Sequence, residues 1–177
     1  PALQKLDLGN SVVSDKSMES LGQHSRLKDL NLANTKVKGN GMDHLGRIKN
    51  LERLDLAGSP VTDEGLADLK CPKLSWLSLS GSNVTNRCIP HLAKLKNLNC
   101  LFLGETKVDD EMMEQLAEIK TLKHLGLAQT GVTAKGMECL YGHPNLYMVS
   151  VSFEVYSSTL EKKLRKKCPE FFGLAPR

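Results

Sequence analysis

One spacing constrains this chain more than any other feature. The pattern Leu-x-x-Leu-x-Leu recurs as Leu3/Leu6/Leu8, Leu27/Leu30/Leu32, Leu51/Leu54/Leu56, Leu74/Leu77/Leu79, Leu98/Leu101/Leu103 and Leu122/Leu125/Leu127, then in altered form as Leu146/Val149/Val151. The interval is 24 residues, with a single interval of 23. Three residues beyond the last leucine of the first six units stands a hydroxyl (Ser11, Thr35, Ser59, Ser82, Thr106, Thr130), and two further on a valine (Val13, Val37, Val61, Val84, Val108, Val132). A Leu-x-Leu strand faces its leucines to one side and cannot bury them alone, so neighbouring units must stack into one core. Each leucine fully buried in that stack contributes about 1.5–3 kcal/mol. The pattern predicts an α/β solenoid of about seven repeats, a horseshoe with a parallel sheet on its concave side and helices on its convex side.

The rest of each unit reads as a turn and a helix. Ser14, Thr62, Thr85, Asp109 and Thr133 follow the valine and are helix-capping types, with Lys38 as the exception. Asp15, Asp63, Asp110 and Glu111 suit the positive end of such a helix. Apolar anchors then recur at helical spacing: Met18/Leu21, Met42/Leu45, Leu66/Leu69, Ile89/Leu92, Met113/Leu116 and Met137/Leu140. The hydroxyl column marks the turn out of the strand, and its buried hydroxyls are expected to bond the next coil as a ladder along the solenoid. Gly9, Gly58, Gly81 and Gly104, with Ala33, Ala57 and Ala128, allow tight turning just past the strands. The first strand is expected to lack a cover, so that a preceding cap or domain is anticipated. Residues 1–153 form the array. Residues 154–177 read as a cap of the same domain: an amphipathic basic helix over Leu160 to Lys167, stopped by Cys168-Pro169, with Phe171 and Phe172 packing over the last coil.

Composition narrows the function classes. Apolar residues make up 40% but aromatics only 5%, so leucine carries the core. The net charge of +4 is spread as mixed signs, as on a soluble surface, and does not call for nucleic acid. Five cysteines (Cys71, Cys88, Cys100, Cys139, Cys168) show neither a paired framework nor a metal cluster, which favours a reducing, cytoplasmic setting. No apolar run reaches bilayer length, and no signal peptide opens the chain at Pro1. The triplet Asn83-Val84-Thr85 is the one secretory hint. No cofactor or metal motif is present; His24, His44, His91 and His143 fall on loops or the convex side without shared ligand spacing.

Stacked strands turn outward positions into columns. One runs Lys5, Asp29, Arg53, Trp76, Cys100, His124, Met148; the other runs Asp7, Asn31, Asp55, Ser78, Phe102, Gly126, Ser150. The first half is charged, with Lys28 and Glu52 beside it and mutual pairs expected across strands; the second half is not. Trp76 and Phe102, diagonal on adjacent strands, are expected to be exposed and within aromatic reach. With Arg53, Asp55, Ser78, Cys100, His124, Tyr147 and Met148 they form the candidate partner-binding site, since Trp, Tyr and Arg are enriched in interface hot spots. Cys100 and His124 share a column, but Met148 cannot orient the histidine and an open sheet does not exclude water, so a Cys-His catalyst is set aside. The run Lys162, Lys163, Arg165, Lys166, Lys167 is read as a solvated helix face rather than a phosphate or membrane contact.

These repeats resemble the leucine-rich repeat family. Segments such as Val61-Thr-Asp-Glu-Gly-Leu66 followed by Leu69 are similar to its 24-residue type with helical convex sides, found in F-box ubiquitin ligase receptors and GALA-type bacterial effectors. The resemblance covers residues 3 to about 151 and departs at the turn column, where Ser or Thr replaces the usual Asn or Cys. It implies a non-enzymatic protein-protein interaction module, monomeric or part of a larger chain, binding a protein on its concave face, with substrate recognition for ubiquitin transfer as one concrete use. A receptor ectodomain fragment of extracellular or innate-immune type and a purely structural scaffold are the alternatives.

Overall fold

The computed structural model describes residues 3–168 and the backbone of 173–176. Each leucine motif forms one short strand: β1 Lys5–Asp7, β2 Asp29–Asn31, β3 Arg53–Asp55, β4 Trp76–Ser78, β5 Cys100–Phe102, β6 His124–Leu127 and β7 Met148–Val151. They pair in chain order and in parallel, and an eighth strand, β8 Gly173–Pro176, continues the sheet beyond β7. The middle leucines fall into one register, Leu6, Leu30, Leu54, Leu77, Leu101, Leu125 and Val149, which puts the two outward columns side by side as the spacing predicts. Leucines, valines and helix anchors merge into one continuous core. At the β1 end Leu6 and Leu8 are only partly buried, and Leu3 and Val12 are exposed, because β1 pairs on one side only.

The convex helices are single turns: α1 Met18–Leu21, α2 Met42–Leu45, α3 Asp63–Leu66, α4 Ile89–Leu92 and α5 Met113–Ala117, with a 3₁₀ turn at Gly136–Leu140 in the sixth unit. Helices this short are not stable by propensity; their buried anchors hold them against the core. Thr62, Thr85, Asp109 and Thr133 accept N–H groups of the following turn as expected, whereas Ser14 makes no such bond. Where Lys38 replaces a capping residue, Gly41 enters α2 with φ +84°. At the other end Lys49, Lys96 and Lys120 donate to the carbonyls of Gly46, Ala93 and Ala117, neutralising the last turns.

Two expected roles are corrected. The hydroxyls mostly bond their own coil: Ser11, Thr35, Thr106 and Thr130 donate to the carbonyls of Leu8, Leu32, Leu103 and Leu127 three residues back. Only Ser59 bridges coils, accepting from the Thr35 N–H at 3.0 Å and donating to the Leu32 carbonyl at 2.8 Å, so there is one rung rather than a ladder. A Ser or Thr side chain is short, and the nearest acceptor is the carbonyl that its own turn has just released. The ladder lies instead on the convex side. Asp63 accepts from the Thr85 N–H and hydroxyl at 2.9 and 2.7 Å, Asp110 does the same for Thr133, and Asp15 takes the N–H groups of Lys38 and Gly39. Asn86 accepts from the Asp109 N–H and donates to its carboxylate. Side chains read as helix-dipole partners, Asp15, Asp63 and Asp110, therefore tie the first coil to the second, the third to the fourth and the fifth to the sixth.

After the array comes α6 Ser158–Lys167, capped by Ser157, whose hydroxyl accepts from the Leu160 N–H. Leu160 and Leu164 are buried in the common core, and the buried Cys168 thiol donates to the Leu140 carbonyl at 3.0 Å. Strand β8 was not anticipated, because Gly173 and Pro176 both disfavour a strand interior; Pro is tolerated at a sheet edge. Phe171 and Phe172 lie outside the described residues. No helix among the described residues is long and apolar enough to cross a membrane.

Candidate functional site

The outward columns converge on Arg53. Its guanidinium carbon lies 3.1 Å from the Trp76 ring centroid, while its nitrogens stand 3.6 Å from Asp29 and 3.4 Å from Asp55. Two carboxylates thus aim the cation at the ring face, and such a contact is worth about 0.5–2 kcal/mol depending on desolvation. Trp76 and Phe102 lie 5.3 Å apart, centroid to centroid, tilted by 46°. They are within aromatic reach, but both are half-buried rather than exposed. Arg53 covers one face of the indole. Phe102 leans over Gly126, where an added Cβ would stand 2.7 Å from Phe102 Cδ1. The absent side chain at Gly126 makes room for that ring.

The remaining candidates divide. Ser78, between Asp55 and Phe102 in the register, is buried at 6% exposure, a small side chain between larger neighbours. Asp55 is half-buried and accepts from the Ala57 N–H as well as facing Arg53. Cys100 is half-buried and its thiol donates to Asn99 Oδ1 at 3.2 Å; burial pushes its pKa up, against the pull of Arg53 and Lys123, away from what a nucleophile needs. The His124 ring sits instead on Tyr147, 5.5 Å away and tilted by 52°. Tyr147 is exposed, and Met148 is half-buried. Hollows flank the central aromatics: one of ≈360 Å³ across β1–β3, lined by Lys5, Asp7, Asp29 and Arg53 among others, and one of ≈380 Å³ by His124, Tyr147, Lys123 and Asn145.

Part of the charged half is structural. Asp7, Asn31 and Asp55 each accept the N–H two residues on, from Gly9, Ala33 and Ala57, and Asn31 also donates to Asp7 at 2.9 Å. These are Asx turns that close the strand ends, and an Asp or Asn two residues before a Gly or Ala was the available signal. Lys28 and Glu52 pair at 3.7 Å, in keeping with mutual pairing across strands. A column of left-handed residues was also missed: Asn10, Asn34, Gly58, Gly81, Glu105 and Gln129 all have φ between 55° and 68°. Of the glycines read as turn formers, Gly58 and Gly81 occupy it; Gly9 and Gly104 do not. The descending loops carry a further set of core residues, Ile48, Cys71, Leu95, Ile119 and His143. Burial lowers the pKa of His143, and its Nε2 lies 3.2 Å from the Ile119 carbonyl. Among the described residues no group of three or more His, Cys, Asp or Glu side chains is placed to hold a metal ion.

Comparison with known proteins agrees with this architecture. The leucine-rich repeat family profile matches residues 48–69. No curated protein matches the chain at a significant level. The crystal structure of internalin C2 from Listeria monocytogenes strain 4b F2365 superposes with a TM-score of 0.64 at 22% identity, over 98% of this chain and 80% of that one. Solenoids of this kind present extended concave surfaces for binding. By its repeat, its all-parallel sheet and this likeness, the chain folds as a leucine-rich repeat solenoid.

Proposed function

We propose that the chain is a protein-recognition module that docks a partner protein on its concave face, with the Arg53–Trp76–Phe102 stack as the anchor. The observation that carries this reading is the preorganised geometry at Trp76: a cation 3.1 Å from its ring centroid and a second aromatic 5.3 Å from it. Prealigned aromatic and arginine groups lose little conformational freedom on binding, which is how a few residues come to dominate an interface. Tyr147, His124 and Met148 extend the contact along the sheet, with Cys100 between Trp76 and His124 in the register and Asp55 holding Arg53 in place. In finer form, the module selects substrates for a ubiquitin ligase in the cytoplasm, as monomer or as the recognition part of a larger chain; the similarity of its repeats to those of F-box receptors supports this use. Residues 1–153 act as the recognition array and 154–177 as its cap.

The test is proximity labelling in cells with the intact protein against Trp76→Ala/Phe102→Ala. Partners captured by the native chain should be lost with the double variant, with the melting temperature changed by only a few degrees. Unchanged capture rejects the concave site. A recruiting subunit of a ubiquitin ligase among the captured proteins supports the finer reading, and its absence in repeated captures counts against it. The exposed Asn83 of the Asn83-Val84-Thr85 triplet favours the ectodomain reading, which requires a glycan on Asn83 in protein from its native source.

A further inference from the structure

The one short interval, 23 residues from Leu51 to Leu74, is lost at a single place. From the second helix anchor to the next leading leucine is six residues in the other repeats, as from Leu45 to Leu51 or Leu92 to Leu98, but five from Leu69 to Leu74. Three of the full-length loops send a large side chain into the core three residues before the next leading leucine, Ile48, Leu95 and Ile119. The shortened loop has Cys71 there, buried, its thiol donating to the Leu45 carbonyl at 3.5 Å. One residue fewer and a thiol in place of a branched chain leave space against the following coil. That space is a groove of ≈260 Å³ walled by Leu69, Cys71, Pro72 and Leu95, with Lys70, Lys94 and Lys96 along it.

We propose that this groove is a second docking site, for a protein segment carrying one large apolar side chain flanked by carboxylates. The size argues for a single side chain: sites for drug-sized molecules run from about 300 to 1,000 Å³, and this one is smaller. The charge argues for acidic flanks. Three exposed lysines line the groove, and the acid nearest in sequence, Asp68, stands 3.5 Å from Lys70 in an exposed pair. Lysine stems extend the apolar walls while their ammonium groups stay in water, which suits a ligand apolar at its centre and anionic at its ends. The site lies on the loops that descend from the convex side, whereas Trp76 projects from a strand, so it is independent of the concave-face reading.

The experiment uses the intact chain and a fluorescein-labelled pentapeptide, Phe flanked by two glutamates on each side, read by fluorescence anisotropy. Binding should weaken by about tenfold or more in Lys70→Glu/Lys94→Glu and in the groove-filling Cys71→Met, and should be unaffected by Trp76→Ala. Circular dichroism melting establishes that each variant is folded; the surface lysine variant serves if Cys71→Met is not. Equal binding of a lysine-flanked peptide, binding that survives charge reversal, or no binding at about 1 mM overturns the proposal. Loss of binding in Trp76→Ala overturns it by moving the peptide to the concave face. Displacement by laurate at lower concentration than by unlabelled peptide overturns it in favour of an anionic lipid.

Discussion

Single residues in this solenoid are judged by the column they occupy. Glu105 and Gln129 hold φ of 58° and 57° where Gly58 and Gly81 stand in other coils, and both are exposed. A left-handed non-glycine residue costs roughly 1–2 kcal/mol, so Glu105→Gly should raise stability by about 1 kcal/mol and the melting temperature by roughly 2–4 °C, measured by calorimetry. Gly58→Ala should do the reverse, since its Cβ would meet the Asn34 side chain. His143 fills a loop position taken by Ile48, Leu95 and Ile119 in three other coils, and burial holds its pKa below the ordinary value near 6.5. The folded state therefore binds fewer protons than the unfolded one below about pH 6.5, and stability present above that pH is lost as pH falls toward the depressed folded pKa. Urea titrations at pH 7.5 and 5 should show a larger loss for the native chain than for His143→Leu; equal losses would remove His143 from the explanation.

At the scale of elements, coils are joined by more than strand pairing. One-turn helices such as α3 cannot persist alone, and the carboxylates at their starts reach across to the next coil. Asp63 is the most buried of these, at 5% exposure, and satisfies both the N–H and the hydroxyl of Thr85. Asp63→Ala leaves both without a partner and should cost about 1–3 kcal/mol, read from urea denaturation. Thr106→Val, which removes a hydroxyl bonded only within its own coil, should cost less. Equal effects would show that the convex ladder holds no special place.

For the whole molecule, stability is a sum of coil and neighbour terms. Leu77 lies fully buried between coils on both sides, whereas Leu6 is partly buried beside one. Leu77→Ala should cost about 2–5 kcal/mol, the range for core leucine truncations, and Leu6→Ala clearly less. Amide exchange should be slowest across β3 to β6 and fastest at β1. Comparable protection of β1 would contradict this gradient. The binding surface shares the logic: its columns exist because every strand keeps one register, so a slipped strand would turn Trp76 or Phe102 from the concave face into the core.

The leucine period alone determined the fold class, the strand register, the inward anchors and the identity of the residues beside Trp76, because a motif repeated at 24 residues has one way to bury its apolar face. The adjacency of Trp76 and Phe102 and the charged-to-uncharged division of the concave face were legible for the same reason. Tertiary structure decided what local spacing cannot encode. Arg53 covers Trp76 only because Asp29 on the neighbouring strand and Asp55 on its own strand orient it; Ser78 is buried only because of what flanks it; and the hydroxyls bond inward because an acceptor three residues back is nearer than the next coil. Strand β8 arises from contacts between segments, so no single repeat carries its signal, whereas the groove beside Cys71 follows the one shortened interval but took its walls from the neighbouring coil.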